Sequence, residues 1–250
     1  MNKDYKKRII KNFDSAAKSY NQHAEIQKFF AIKLAMICTK KEIKHGKWID
    51  LGAGTGILAD TLEDIYPTQK VERLDSSKRM LLLNKNQSSK FYWDLNKGLP
   101  NCIRNYSLIT SNFSLQWLSH PSQRLKEWFE ALSSGGILAA SIPIKGSFPE
   151  WEKASEISNT PYTAINLPES KKLIKAFNSS NIIHNEIYRY KQKSENPLLI
   201  LKNISKVGAH SSMKKKMTIS QLKNLKQSWF YNKQNIRELT WEIQILIIKK

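Results

Sequence analysis

The chain has 250 residues and is 40% hydrophobic, enough for one α/β domain with insertions around a sizeable core. No stretch reaches the roughly 20 uninterrupted apolar residues of a membrane helix, and Cys38 and Cys102 give neither a disulfide framework nor a metal-ligand spacing. The net charge of +20 is uneven: residues 1–47 hold 12 Lys/Arg against 4 acids, 48–185 hold 15 against 13, and 186–250 hold 14 against 4.

A near-neutral middle between basic flanks suits an acidic partner: nucleic acid, an acidic carrier protein or an anionic membrane surface. The bland alternative is a compositional bias toward Lys, Asn and Ile. The basic N-terminus contains no signal-peptide core, so the chain reads as cytoplasmic.

In chain order, residues 5–38 have helical periodicity, with Asn12 or Asp14 as a cap or interruption. Tyr20, His23 and Gln27 fall at i, i+3 and i+7 of one helix face. They either meet a polar ligand or belong to an ordinary amphipathic helix. After a charged linker (40–47), Trp48-Ile49-Asp50-Leu51 reads as a strand, Gly52-Ala53-Gly54-Thr55-Gly56 as a turn, and Leu58–Ile65 as a helix. Such an arrangement brings backbone close to a nucleotide. The third glycine comes one residue earlier than in the dinucleotide fingerprint. Asp50, two residues before Gly52, repels a pyrophosphate and attracts a cationic amino group. About 20 residues on, Asp75 ends the next strand, where an acid takes both hydroxyls of a ribose.

Further strands are expected at Phe91–Trp93, Ser107–Asn112, Ile137–Ile142, Ile182–Tyr190 and Leu239–Ile248. Helices are expected at Ser76–Leu83, Leu125–Leu132 (ended by Gly135-Gly136), Glu150–Ile157, Lys171–Phe177, Leu198–Val207 and Ser220–Trp229. Gly208-Ala209-His210 and the Lys214-Lys215-Lys216 run join the last two helices. The alternation implies a doubly wound, mostly parallel α/β sheet with an antiparallel terminal strand. Asp50, Asp75, Asp94 and Asn112 all stand at carboxyl strand ends, where such sheets bind ligands. Residues 1–47 read as a helical segment covering the site, and 48–250 as the main domain. Within it lie a lid insertion at about 146–170, rich in Pro and aromatic residues, and a basic helical insertion at about 195–230.

The glycine motif resembles the first motif of class I S-adenosylmethionine (SAM) methyltransferases. A narrower resemblance spans nearly the whole chain. Phe13-x-x-Ala16-Ala17-x-x-Tyr20-x-x-His23-Ala24-x-x-Gln27, Ser111-Asn112-Phe113-Ser114-Leu115-Gln116-Trp117 and Gly146-Ser147-Phe148-Pro149-Glu150 resemble the malonyl-ACP O-methyltransferases of biotin synthesis. Leu167-Pro168, Leu201-Lys202, Val207-Gly208-Ala209 and Ser220-Gln221-Leu222 agree. Ala53, Tyr106-Ser107 and Ser133-Ser134 depart from the family's usual residues without removing an expected ligand contact.

The resemblance implies that SAM methylates the free carboxylate of a malonyl thioester, on acyl carrier protein or coenzyme A, to begin the pimeloyl chain of biotin. It implies no metal, nucleic acid or membrane. Gly52, Ala53, Gly54 and Gly56 would meet SAM through backbone, and Asp50 would lie near its amino-acid end, directly or through water. Asp75, with Ser76 beside it, would hold the ribose. Met80, Asp94 and Leu95 would hold the adenine, and Asn112 and Phe113 the methionine moiety. Tyr20, His23 and Gln27 would close the site, and Gln116 and Trp117 would shape the acyl pocket. An arginine or lysine should meet the malonyl carboxylate. Two other readings stay open. An amine-directed RNA or DNA methyltransferase usually carries Asn/Asp-Pro-Pro-Tyr/Phe where this chain has Asn112-Phe113-Ser114-Leu115. A non-catalytic assembly protein would keep the fold without turnover.

Overall fold

A computed structural model describes residues 3–85, 89–209, 217–230 and 236–250. His210 and Lys214 to Lys216 lie outside them. The order is α1 (Lys3–His23), α2 (Glu25–Thr39), β1 (Lys47–Leu51), α3 (Ile57–Ile65), β2 (Val71–Asp75), α4 (Lys78–Leu82), β3 (Lys90–Tyr92), β4 (Tyr106–Asn112), α5 (Pro121–Glu130) and β5 (Leu132–Pro143). Then come α6 (Pro149–Ile157), α7 (Ser170–Ile174), β6 (Ile182–Ser194), α8 (Pro197–Lys206), α9 (Ile219–Ser228) and β7 (Arg237–Lys249).

The strands form a seven-stranded sheet in the order β3-β2-β1-β4-β5-β7-β6. β1 pairs in parallel with β2 and β4, while β7 is antiparallel to both β5 and β6. The strand order reverses beside β1, which places the ligand crevice at the carboxyl ends of β1 and β4.

Strand side chains alternate between two apolar layers. Trp48, Leu108, Ile137 and Ile245 face α2 and α3, whereas Ile49, Ile109, Leu138 and Leu246 face the layer holding Trp128 of α5. This alternation puts both sheet faces under helices and leaves the carboxyl ends open to ligand.

Three expectations about the elements are corrected. First, α1 runs through Asn12 and Asp14. Asp14 instead accepts hydrogen bonds from Ser77 Oγ (2.5 Å) and the Arg79 N–H (3.2 Å), pinning α1 to α4. The helical stretch breaks at the fully buried Ala24, at φ −86° and ψ 43°. Second, Gly135 and Gly136 do not end a helix. α5 stops at Glu130, and both glycines lie within β5. Gly135 takes φ +72°, its N–H donates to the Lys250 carbonyl at 2.8 Å, and the Lys250 N–H returns to Gly136. The pair therefore makes an irregular strand entry tied to the last residue of β7's segment. Third, β6 and β7 run to 13 residues each, longer than their apolar runs predict, because each supplies the other's ladder.

Candidate functional site

The glycine turn is built by sterics. Gly52, Gly54 and Gly56 all have positive φ, at +75°, +55° and +90°. A Cβ on Gly52 would stand 2.0 Å from Ser114 Oγ, and one on Gly56 would stand 2.2 Å from Asn84 Oδ1. Nothing lies within 4 Å of a Cβ on Gly54, so this turn leaves open space at its middle glycine.

That space belongs to a cleft lined by Asp50, Gly52, Ala53, Gly54, Asp75, Ser76, Met80, Asp94, Leu95, Asn112 and Phe113. All four polar strand-end residues therefore meet in one place. Asp75 is fixed by backbone: one carboxylate oxygen accepts from the Gly54 N–H at 2.8 Å and the other from the Ser77 N–H at 2.7 Å. Burial raises its pKa against those donors. Asp50 is buried at 1% exposure, and burial pushes its pKa up to about 7 despite Arg73 and a 3.2 Å hydrogen bond from Thr110. Arg73 is spent elsewhere: it is fully buried and ion-paired with Asp60 and Glu63. The buried Asp50 and the half-buried Asp75 then face this cleft, a wall that favours hydroxyl and ammonium donors and disfavours phosphate. Asp94 accepts from the Asn96 N–H at 2.9 Å through Oδ1. Asn112 donates to the Gln27 carbonyl at 3.0 Å and accepts from Ser141 Oγ, which ties β4 to α2.

A second chamber, about 570 Å³, adjoins the first. Phe13, Tyr20, Gln27, Phe113 and Trp117 line both. α1 contributes through Phe13, which packs edge-on against Trp117 with ring centroids 5.4 Å apart. The 146–170 insertion contributes Phe148, Trp151 and Leu167, and the 195–230 insertion contributes Leu198, Leu201 and Val207. Gly208 makes this assembly possible. A Cβ there would come 3.0 Å from Asn12 O and Phe13 Cα, so glycine lets the end of α8's segment touch α1. At the junction, burial and then the Asp75 charge raise the Tyr20 phenol, which stays a hydrogen-bond donor at neutral pH. Gln116 Nε2 donates to the Phe113 carbonyl at 2.7 Å, which helps hold Phe113 at φ +53°. Gln27 Oε1 and Gln116 Oε1 are buried without a protein partner.

A family model described as a methyltransferase domain matches residues 20–182. This chain belongs to that family. As a methyltransferase it is 29% identical over 237 residues to the malonyl-[acyl-carrier protein] O-methyltransferase of Buchnera aphidicola subsp. Baizongia pistaciae, covering 91% of this chain and 92% of the relative. It is 26% identical to malonyl-[acyl-carrier protein] O-methyltransferase 1 of Ilyobacter polytropus, over 98% of this chain and 95% of that one. Its fold matches the YcgJ protein of Bacillus subtilis with a TM-score of 0.60 at 12% identity, over 89% of this chain and 98% of that one.

The structure separates two site expectations from the rest. His23 lines neither cavity of this methyltransferase. The break at Ala24 ends the regular spacing that would put His23 on a face with Gln27. Gly56 also lines neither; it is the N-cap residue of α3 and packs on Asn84. No cation stands among the residues common to both cavities. Sequence reasoning passed over Lys6, Ile9 and Ile10, which line the first cleft from α1 together with Phe13. Their i, i+3, i+4, i+7 spacing was the available signal. Ser114, which packs on Gly52 and lines the cleft, was missed as a site residue although it lies within the Ser111–Trp117 motif.

Proposed function

We propose that this methyltransferase uses SAM to methylate the free carboxylate of a malonyl thioester carried on acyl carrier protein or coenzyme A. The observation that carries the reading is the pair of joined cavities with opposite electrostatics. The glycine-turn cleft is walled by Asp50, Asp75 and Asp94, whereas no acid is among the described residues lining the larger chamber. A cationic nucleoside suits the first and an anionic acyl group the second. The relatives named for malonyl-[acyl-carrier protein] support this substrate.

The residues fit SAM as follows. Asp75, already held by two N–H groups, offers its remaining lone pairs to a ribose diol. The open face of Gly54 admits the ligand, and Met80 and Leu95 give an apolar wall beside Asp94 for an adenine. Asp50 faces the amino-acid end. When bound, SAM supplies an electrophilic methyl on a sulfonium. The protein's task is then orientation. A carboxylate with a pKa near ~4 is already ionised, so no general base is needed. The Tyr20 hydroxyl donates to one carboxylate oxygen and leaves the other to attack. Gln27, Phe113 and Trp117 hold the acyl group in line and keep water out. Positioning of this kind supplies on the order of 7–11 kcal/mol, and removing water from the carboxylate aids attack.

One assay tests the reading: transfer of label from SAM to malonyl-ACP, malonyl-CoA, free malonate and RNA. Methyl ester formation on the thioesters alone is expected. Label on RNA, or SAM binding with no transfer to any thioester, would replace it. Rescue of a biotin-requiring strain tests the biological role.

A further inference from the structure

We propose that the exposed sides of α8 and α9 form the docking surface for an acidic carrier protein that delivers the thioester, with Lys202, Lys206, Lys223 and Lys226 as its charges and Leu199 and Ile219 as its apolar contacts. The inference rests on the thioester reading above, commits it to a protein-borne arm and assigns the surface that receives the protein.

The two helices repeat one pattern. On α8, Leu199, Lys202 and Lys206 fall at i, i+3 and i+7; on α9, Ile219, Lys223 and Lys226 fall at i, i+4 and i+7. Each set runs along one side of its helix. All six residues are exposed, Leu199 at 50% and Ile219 at 76%. The inner residues are spent on the chamber: Leu198, Leu201 and Ile204 of α8 line it with Leu222 of α9. The helices also pack on each other, so their exposed sides bound one surface over the same chamber. Lys202 lines the chamber as well as being exposed, and the chamber therefore opens beside this surface. A partner seated here holds its arm over a passage that reaches Tyr20, which belongs to both cavities.

Residues 197–209 and 217–230 contain four lysines and no aspartate or glutamate. None of the four pairs with an acid among the described residues. At the β6–β7 edge, by contrast, cations are neutralised locally: Arg189 pairs with Glu242 and Lys191 with Glu238, both at 2.8 Å. Lysines one turn apart on a helix repel each other, and an acidic partner relieves that repulsion while steering its own approach. Charge alone would also admit nucleic acid. The exposed leucine and isoleucine among the lysines favour a protein, because apolar contact removes them from water, whereas phosphate contacts call for polar donors. Free coenzyme A has no protein surface with which to cover them.

The test compares malonyl-ACP with malonyl-pantetheine, which keeps the arm and lacks the protein, as substrates of the full chain. The Lys206→Glu/Lys223→Glu/Lys226→Glu variant leaves Lys202 and the chamber lining in place. Its kcat/KM on malonyl-ACP should fall about tenfold or more, mostly through KM, while that on malonyl-pantetheine stays within about twofold. Equal losses on both substrates, or no loss on malonyl-ACP, overturn the surface. So does the same loss in a matched reversal of Lys28, Lys40 and Lys70, which are exposed on other elements. Lys206→Glu and Lys223→Glu/Lys226→Glu should each carry part of the effect; a loss confined to one helix overturns a surface shared by both. If the triple variant does not fold, salt decides: added NaCl should lower wild-type kcat/KM more steeply on malonyl-ACP than on malonyl-pantetheine, and equal slopes overturn the surface. If the wild type turns over no thioester, the function reading fails. Calorimetry with holo-ACP then still decides the docking: binding lost in the triple variant supports it, and binding that persists there or is absent from the wild type overturns it. A short RNA bound through these lysines, with malonyl-ACP turnover indifferent to their reversal, assigns the surface to nucleic acid and overturns it.

Discussion

The two cavities are built in different ways. The glycine-turn cleft is made largely from consecutive strand ends of one sheet, and its key groups are set by backbone: Asp75 by the Gly54 and Ser77 N–H groups, Asp94 by Asn96. The larger chamber is made of side chains from α1, α2, the 146–170 insertion and α8, which are distant in sequence. The cleft is rigid wherever the sheet is rigid. The chamber exists only when separate helices stay packed, as at the Gly208–Phe13 contact. A fold built this way fixes the cofactor chemistry in the sheet and leaves substrate choice to parts that can change without disturbing it.

The sharpest way to break the first half is Gly52→Ala. Its Cβ would meet Ser114 Oγ at 2.0 Å on backbone at φ +75°. Clash and strain together should cost about 3–5 kcal/mol, read by thermal unfolding. Adding Ser114→Gly should recover the clash but not the strain; no recovery would mean that the turn fails for another reason.

Asp50 gives the next effect. Burial raises its folded pKa to about 7, above its unfolded value. The folded state therefore binds more protons between about pH 4 and pH 7, and stability should fall as pH rises through that window, by at most ~4 kcal/mol. Asp50→Asn should flatten this slope in denaturant titrations. On the proposed placement of its ammonium beside Asp50, SAM should by the same sign bind more tightly at pH 8 than at pH 6 and release a proton.

Asp75→Ala should weaken SAM binding by about 1.5–3 kcal/mol in calorimetry, because it removes the charged hydrogen bonds to the ribose that the proposed function assigns to it. Unchanged affinity would take Asp75 out of the site. On the chamber side, Tyr20→Phe should lower kcat about tenfold, near 1.4 kcal/mol, with SAM affinity and melting temperature little changed. If both cofactor affinity and stability fell with kcat, the hydroxyl would belong to the core.

The same division governs what could be read from the sequence. The cleft was legible because backbone geometry demands particular residues at fixed offsets: glycines for positive φ, acids at strand ends. The chamber was legible only in outline. That described parts of the 146–170 and 195–230 insertions line it is foreshadowed by their length, but lining residues such as Phe13 and Leu201 are 188 positions apart, and no local pattern connects them. His23 failed because Ala24 breaks the helix, and an alanine carries no breaking signal. Gly135-Gly136 failed because the sequence does not distinguish a helix stop from a glycine-bent strand entry.

The break at Ala24 has a mechanical consequence. α2 is locked into the core through Phe30, Leu34 and Ala35, each fully buried, whereas α1 spans both binding spaces and is fastened at its middle by Asp14 to Ser77 and Arg79. Lys3–His23 thus form a single lever with its fulcrum at a small, non-helical residue. Unlatching Asp14 would uncover donor and acceptor berths in one stroke, so spent donor and methylated product would leave on a shared clock set by that latch.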